Sequence, residues 1–351
     1  MKTFRLKIII LAFGTVFLSS CTTLMYTSLD VLRPAKIAFA PNANNLLIVN
    51  NSITQPADYG HKIQLLNEKT KKILLPTDSL SIFCLGALKE ELDGKNFFST
   101  VQLLPDTRNS GTDFNKINRF NADTIKNLCI SQQADVVLSL DRIKVNDELI
   151  EYYINETSTY LSTLDVKFET YWSIHYPKKP QTASIQFKDT IYWESESYYR
   201  KKAMGDLPKR SDALIDGALN VGQKSVKRFV PYWEKVDRYF FNSNNRYIKL
   251  GMDSVYVKNW TAAIGYWEKA VEKSKNTRIK AQAQNNIAIA YEILGDIDKA
   301  LYYATKSYYS FTELSIVDLD SCNRLVDYLY ELDQRQNDIA LLKKQLGESS
   351  K

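Results

Sequence analysis

Between residues 164 and 176 the chain alternates without a break. Leu164, Val166, Phe168, Thr170, Trp172, Ile174 and Tyr176 fall on one side, and Asp165, Lys167, Glu169, Tyr171, Ser173 and His175 on the other. A period of two sustained this long predicts a β-strand with one buried face and one wet face. Pro177 to Pro180 supplies a turn. Ala183, Ile185, Phe187, Ile191 and Trp193 then alternate back, with Asp189 as the one polar residue on their side. A two-stranded ribbon is marginal in water, so this one must extend a larger sheet.

The residues before the ribbon supply that sheet. Residues 46–49 and 136–140 are continuous apolar runs, the pattern of strands buried on both faces, and 97–104 predicts another strand. A helix is expected over 78–92 with Asp78 as its N-cap. A shorter one opens at Asn121 or Asp123 and runs through Leu128 and Ile130. Strand, helix, strand, helix, strand in that order predicts βαβ-type units. A further helix, capped by Ser211-Asp212, runs to about Val230, where Pro231 ends it. Gly217 and Gly222 on it permit close approach to the sheet, and no phosphate-binding glycine pattern surrounds them. The fold class expected for residues 22–235 is α+β, a mixed sheet with helices.

Beyond residue 241 the period changes to helical, and no proline occurs from residue 232 to the end. Two segments superimpose. The first carries Leu250-Gly251, Asn259-Trp260-Thr261-Ala262-Ala263, Trp267 and Ala270. The second carries Ile287-Ala288, Tyr291, Gly295 to Ala300, Ala304 and Ser307. This pattern resembles the tetratricopeptide repeat, which implies an all-α array of helical hairpins over 242–347. The spacing of the two units exceeds the usual one, so an extended loop is expected around 274–277. A third unit at 321–346, keeping Asn337-Asp338-Ile339-Ala340, is expected as a divergent capping hairpin. Tyr302, Tyr303, Tyr308 and Tyr309 crowd one helix of the array. They either pack between repeats or form a protein-binding surface, and they are the candidate interaction residues.

The N-terminus carries an address. Lys2, Arg5 and Lys7 precede an apolar run over 8–18, and Leu18-Ser19-Ser20-Cys21 closes it. That is a secretory signal over 1–20, too short to span a bilayer. Its end resembles the bacterial lipobox, which implies lipid attachment at Cys21 and a membrane partner reached through the lipid. Thr22 behind the cysteine favours the outer membrane over inner-membrane retention, with the periplasmic face expected. Removing the leader takes away three cations and no acid, which halves the formal net charge of +6. No nucleic-acid partner is therefore expected. Arg33-Pro34-Ala35, Ile48-Val49-Asn50-Asn51 and Pro231-Tyr232-Trp233 complete a likeness to tetratricopeptide-containing lipoproteins of Bacteroidota with an N-terminal domain of unknown role. More loosely, the first domain resembles outer-membrane assembly lipoproteins of the curli-secretion and penicillin-binding-protein-activator kind.

Chemistry-bearing residues are sparse. Only two histidines occur. His61 follows Gly60 in a turn-rich stretch with no acidic or cysteine neighbour in sequence, and His175 falls on the wet face of the long strand. Glu90-Glu91 point apart on a helix, and Glu194 and Glu196 share one side of a strand end. No catalytic, metal-binding or cofactor-binding motif is present, so no cofactor and no enzymatic activity are expected. Cys84, Cys129 and Cys322 are expected as buried thiols, although an 84–129 disulfide is permitted by the compartment. Four Asp-Ser/Thr-aliphatic triplets resemble the O-glycosylation signal of Bacteroidota and mark Ser79, Thr124, Thr190 and Ser254 as candidates. The function expected is a non-enzymatic scaffold or assembly factor. The alternative is a glycan- or peptidoglycan-binding lipoprotein using Tyr171 and Tyr192.

Overall fold

The computed structural model describes residues 23–347, so Cys21 and the signal segment lie outside the described residues. The chain is mixed α+β and divides into two compact units. One is Ala35–Pro231 with Gln345–Gly347; the other is Tyr232–Lys344 with residues 23–34. The first described strand, β1 (Thr23–Arg33), therefore belongs with the helices and not with the sheet domain expected over 22–235.

The sheet unit is built in chain order from β2 (Asn45–Asn50), β3 (His61–Gln64), β4 (Lys71–Lys72), α1 (Leu80–Lys95), β5 (Thr100–Leu104), α2 (Ala122–Gln132), β6 (Val136–Ile154), β7 (Thr159–Tyr176), β8 (Lys179–Ser197), α3 (Arg200–Gly205) and α4 (Arg210–Phe229). Strand β2 lies between β5 and β6 and runs parallel to both. Its alternate residues feed two cores. Leu46 and Ile48 pack with Leu80, Cys84 and Leu88 of α1, while Leu47 and Val49 pack with Ile125 and Cys129 of α2. The two helices thus cover opposite faces, which is why 46–49 is apolar throughout. Each fully buried aliphatic side chain there stabilises the fold by about 1.5–3 kcal/mol.

The long ribbon forms as expected. Strand β7 pairs antiparallel with β8 on one edge and with the whole of β6 on the other. Strand β6 is much longer than the 136–140 run. Its first part pairs with β2 and its later part with β3, both parallel and on the same edge. Between those two partners the Gln55 amide takes the place of a strand, accepting from Val145 N (2.8 Å) and donating to Val145 O (2.8 Å). Asp189 forms a two-pronged ion pair with Arg228 of α4 (2.7 and 2.8 Å), which accounts for the polar interruption of β8.

Helix starts differ from expectation in detail. Helix α1 begins at Leu80 after Ser79, without a side-chain cap from Asp78. Asn121, not Asp123, caps α2 by accepting from Thr124 N. Helix α4 begins one residue before Ser211-Asp212 and has no side-chain cap. Gly217 abuts Phe168 of the sheet as expected. Gly222 instead lies against the Cys84 carbonyl of α1, so it brings helix to helix.

In the helical unit β1 pairs antiparallel with β9 (Tyr232–Asn242), from Thr23 opposite Asn242 to Arg33 opposite Tyr232. That continuous ladder moves the domain boundary from 235 to the start of β9. The helices are α5 (Arg246–Tyr256), α6 (Trp260–Lys273), α7 (Thr277–Ile293), α8 (Ile297–Thr312) and α9 (Leu319–Gln345). Lys258 and Gly295 take matching left-handed turns, each followed by a side-chain cap, Asn259 on α6 and Asp296 on α8. Ala263 and Ala300 are fully buried, and Gly251 lies against the Trp267 indole. The added spacing goes into a longer α7, whose Asn276 caps it, and the connection at 274–276 stays short. The third hairpin does not form. Residues 319–345 make one uninterrupted helix, and Asp338 accepts from Arg33 of β1 (3.0 Å) where a turn was expected.

Candidate functional site

Strand β2 is flanked by parallel neighbours reached through helices on opposite faces of the sheet. That is the topological switch point at which open α/β sheets leave a crevice beyond the strand carboxyl ends. A cleft of about 540 Å³ opens there. Its floor starts at Asn51, directly after β2, and its walls are the loop 105–121 and one side of α2 from Thr124 to Ser131.

The loop is long but pinned. Arg108 N donates to Asn50 O (2.9 Å), Thr107 Oγ1 to Ser52 O (2.7 Å) and Asn109 Nδ2 to Asn51 O (2.9 Å). Gly111 is where the loop turns back: it donates to Asn109 Oδ1 (2.9 Å), and any Cβ there would meet the Asn118 amide. Phe114 is buried edge-on against Tyr59, and Arg142 stacks on the Tyr171 ring with its carbon 4.2 Å from the centroid. Arg142 also donates to Asn115 O (2.9 Å).

Beneath the cleft lies a closed polar cluster. Asp141 accepts from Ser139 Oγ (2.7 Å), Ser173 Oγ (2.5 Å) and Asn51 Nδ2 (2.9 Å). His175 Nε2 lies 3.0 Å from Ser139 Oγ, and the Phe120 ring meets the imidazole edge-on at 6.0 Å. Burial holds the His175 imidazole below its ordinary value; Asp141 opposes the shift and Arg119 adds to it. The trio of serine, histidine and aspartate is nevertheless wired against nucleophilic use. Ser139 gives its proton to Asp141, lies 3.0 Å from the ring nitrogen, and has a side chain with no exposure. His175 is buried, against the expected surface position.

The other histidine is buried as well. His61 Nδ1 pairs with Asp147, which also accepts from Arg210 Nε (2.7 Å). The acidic neighbour missing in sequence comes from β6. Glu196 accepts from Thr159 (2.5 Å) and Thr157, so it completes a turn and is not one half of a carboxylate pair. Among the described residues no group of three or more His, Cys, Asp or Glu side chains is placed to hold a metal ion. Among the same residues no helix is long and apolar enough to cross a membrane.

Cys84 and Cys129 are free thiols in cores on opposite faces of the sheet, so the permitted disulfide is absent. The candidate tyrosines divide. Tyr303 stacks on Tyr291 (5.6 Å) and Tyr308 packs against the helical core, whereas Tyr302 and Tyr309 are 52% and 60% exposed on one face of α8. Of the glycosylation candidates Thr190 is exposed, Ser79 and Thr124 are half-buried at helix starts, and Ser254 donates to Leu250 O inside α5. Tyr192 is exposed and Tyr171 is covered by Arg142, so the two do not form a paired aromatic platform.

The main feature that sequence reasoning did not single out is the cleft walled by the loop 105–121. In comparisons with known proteins, residues 43–241 match the model of a family described as a domain of unknown function, DUF8603. Residues 249–334 match a second so described, DUF6340. No curated protein matches the chain. A solved Helicobacter pylori protein described as a neuraminyllactose-binding hemagglutinin homolog is 13% identical, with a TM-score of 0.29 over 56% of this chain and 90% of its own. An uncharacterised protein aligns at 9% identity and a TM-score of 0.24, over 55% of this chain and 97% of its own. At those scores neither likeness carries an argument about this chain.

Proposed function

The chain belongs to the DUF8603 family, whose model spans residues 43–241, and on that premise we propose a lipid-anchored, non-enzymatic envelope protein that holds a protein partner. The anchor is Cys21, behind the apolar leader, and the location is the periplasmic face of the outer membrane. The docking element is the helical unit, read as two tetratricopeptide-type hairpins closed by the single helix α9.

The observation that carries this reading is the pair Tyr302 and Tyr309. They stand two turns apart on α8, on one face and free of the core, while their neighbours Tyr303 and Tyr308 pack inward. Tyrosine, with tryptophan and arginine, is enriched among the side chains that carry most of the energy of protein interfaces. The buried state of both histidines and of Cys84, Cys129 and Cys322 supports a non-enzymatic role.

The test is crosslinking of the acylated protein in isolated membranes. Tyr302→Ala with Tyr309→Ala should remove partners retained by the wild type while leaving the melting temperature unchanged. Retention of every crosslinked partner by the double variant counts against the reading. Cys21→Ser should release the protein from the membrane fraction. Glycan binding through Tyr171 and Tyr192 is the weaker alternative, because Arg142 already occupies the face of Tyr171.

A further inference from the structure

The cleft beyond β2 has a chemical character that the scaffold role does not use. Its lining contains Arg108 and Arg119 and no carboxylate. Most arginines of the described residues donate to a partner, as Arg33, Arg200, Arg210, Arg228, Arg238 and Arg278 do. Arg108 and Arg119 have no side-chain partner among the described residues. Asp141, which Asn51 contacts, is already saturated by Ser139, Ser173 and Asn51. Two uncompensated guanidinium groups on one concavity favour an anion, and their planar forks suit a carboxylate or phosphate.

The rest of the lining is amide and hydroxyl. Asn51 is 2% exposed; its Nδ2 donates twice, to Asp141 and to Asn118 O, and its Oδ1 accepts no hydrogen bond among the described residues. Asn121, Asn127 and Ser131 line the α2 wall, and Phe120 and Leu128 provide the apolar contacts. Amides offer donor and acceptor together, which matches vicinal hydroxyls, and a single ring suits the apolar face of a sugar. The volume is that of a small-molecule site, and the loop that walls it is pinned to residues 50–52.

We propose that this cleft binds a small hydroxylated anion, a sugar acid or sugar phosphate, with Arg108 and Arg119 on the charged group and the asparagines on the hydroxyls. The site lies wholly in the sheet unit and stands or falls separately from partner binding by the helices.

The test is calorimetric titration of the full chain with D-glucuronate, glucose 6-phosphate, neutral glucose and inorganic phosphate, each to about 10 mM, since a monosaccharide-sized ligand is expected to bind at about 1 mM. Binding of glucuronate, glucose 6-phosphate or both supports the assignment when neutral glucose and phosphate alone are weaker by about tenfold or more. Which of the two binds tells carboxylate from phosphate. Arg108→Gln with Arg119→Gln should weaken binding by about tenfold or more, and both side chains are exposed, so folding is retained. Asn127→Asp, which adds a carboxylate to the lining, should weaken it similarly. Silence of both sugar anions overturns the proposal, and so does equal binding of neutral glucose. Equal binding of inorganic phosphate, an adventitious ion only, overturns it too, as does wild-type affinity in the double arginine variant.

Discussion

Glu292→Gln in α7 should be among the most damaging conservative changes in the helical unit. Glu292 is 1% exposed and accepts from Arg238 Nε and Nη2 (2.8 and 2.9 Å), Arg335 Nη1 (2.6 Å) and the Tyr328 hydroxyl (2.9 Å). One carboxylate therefore neutralises two mostly buried guanidinium groups, one from β9 and one from α9. Glutamine keeps the shape and removes the charge, leaving Arg335 without a carboxylate and Arg238 with only Glu331 at 3.3 Å, which Arg33 shares. Breaking a buried pair in this way costs about 3–5 kcal/mol. For a unit of this size that lowers the melting temperature by about 10–20 °C.

Acid should close the gap between the two proteins. Burial pushes the Glu292 carboxyl up, but its hydrogen bonds and charge contacts with Arg238 and Arg335 outweigh burial and hold it below its usual value. A lowered carboxyl contributes its full stability above the unfolded value of about 4.3 and loses it as pH falls through the folded value. Wild type should therefore keep its advantage over Glu292→Gln from neutral pH down to about pH 4.3 and lose it progressively on further acidification. Replacing Glu292, Arg238 and Arg335 together by methionine should regain much of the loss, because no charge is left buried alone. Calorimetry across that pH range checks all three statements. A loss below about 1 kcal/mol at pH 7, or a gap that stays constant on acidification, refutes the reasoning.

Four further outcomes are expected. Gly222→Ala should destabilise the sheet unit by about 1–3 kcal/mol, because its Cβ would meet the Cys84 carbonyl and Ala87, whereas Gly86→Ala has open space; equal melting of both variants contradicts the close approach. Burial first, then the charge of Asp189, pushes the Cys84 thiol up to about 12, so an alkylating reagent at pH 8 should reach it only through unfolding; rapid native labelling argues otherwise. Denatured but unreduced protein should take up label at Cys84, Cys129 and Cys322 alike. Intact mass of native protein should lose any glycan in Thr190→Ala and keep it in Ser254→Ala, whose hydroxyl is already bonded within α5; the reverse result sinks that ordering.

What the sequence made legible follows from what leaves a local trace. The β7–β8 ribbon was readable because one wet face forces alternation, and β2 because two covered faces abolish it. The hairpin turns of the helical unit were readable because a cap and a left-handed residue are local requirements. Contacts between distant segments leave no such trace. His61 lacks an acidic neighbour in sequence because its partner Asp147 arrives through strand pairing. Asn286 inside α7 looks like a poor helix former. Its amide, accepting from Phe241 N and donating to Phe241 O (both 2.8 Å), serves β9 as a neighbouring strand would. Asn337-Asp338 suggested a turn, yet Asp338 is held on a continuous helix by Arg33, at the far end of the chain.

The misread end of β6 and the floor of the cleft have one cause. Leu140 lies opposite Trp172 and Arg142 opposite Tyr171, so Asp141 is an extra residue, a β-bulge. Before it Val136, Leu138 and Leu140 face the main core; after it Ile143, Val145 and Leu149 do. The parity of inward positions switches from even to odd, and a period-two pattern breaks at that residue although the strand continues. A regular strand could not put Asp141 beside Ser139 and Ser173 while keeping Ile143 and Val145 in the core. The bulge therefore supplies the carboxylate that Asn51 needs from below, and it frees Arg142 to stack on Tyr171 and secure the loop 105–121 at Asn115. Deleting Asp141 would restore the alternation in sequence and remove the anchor of the site.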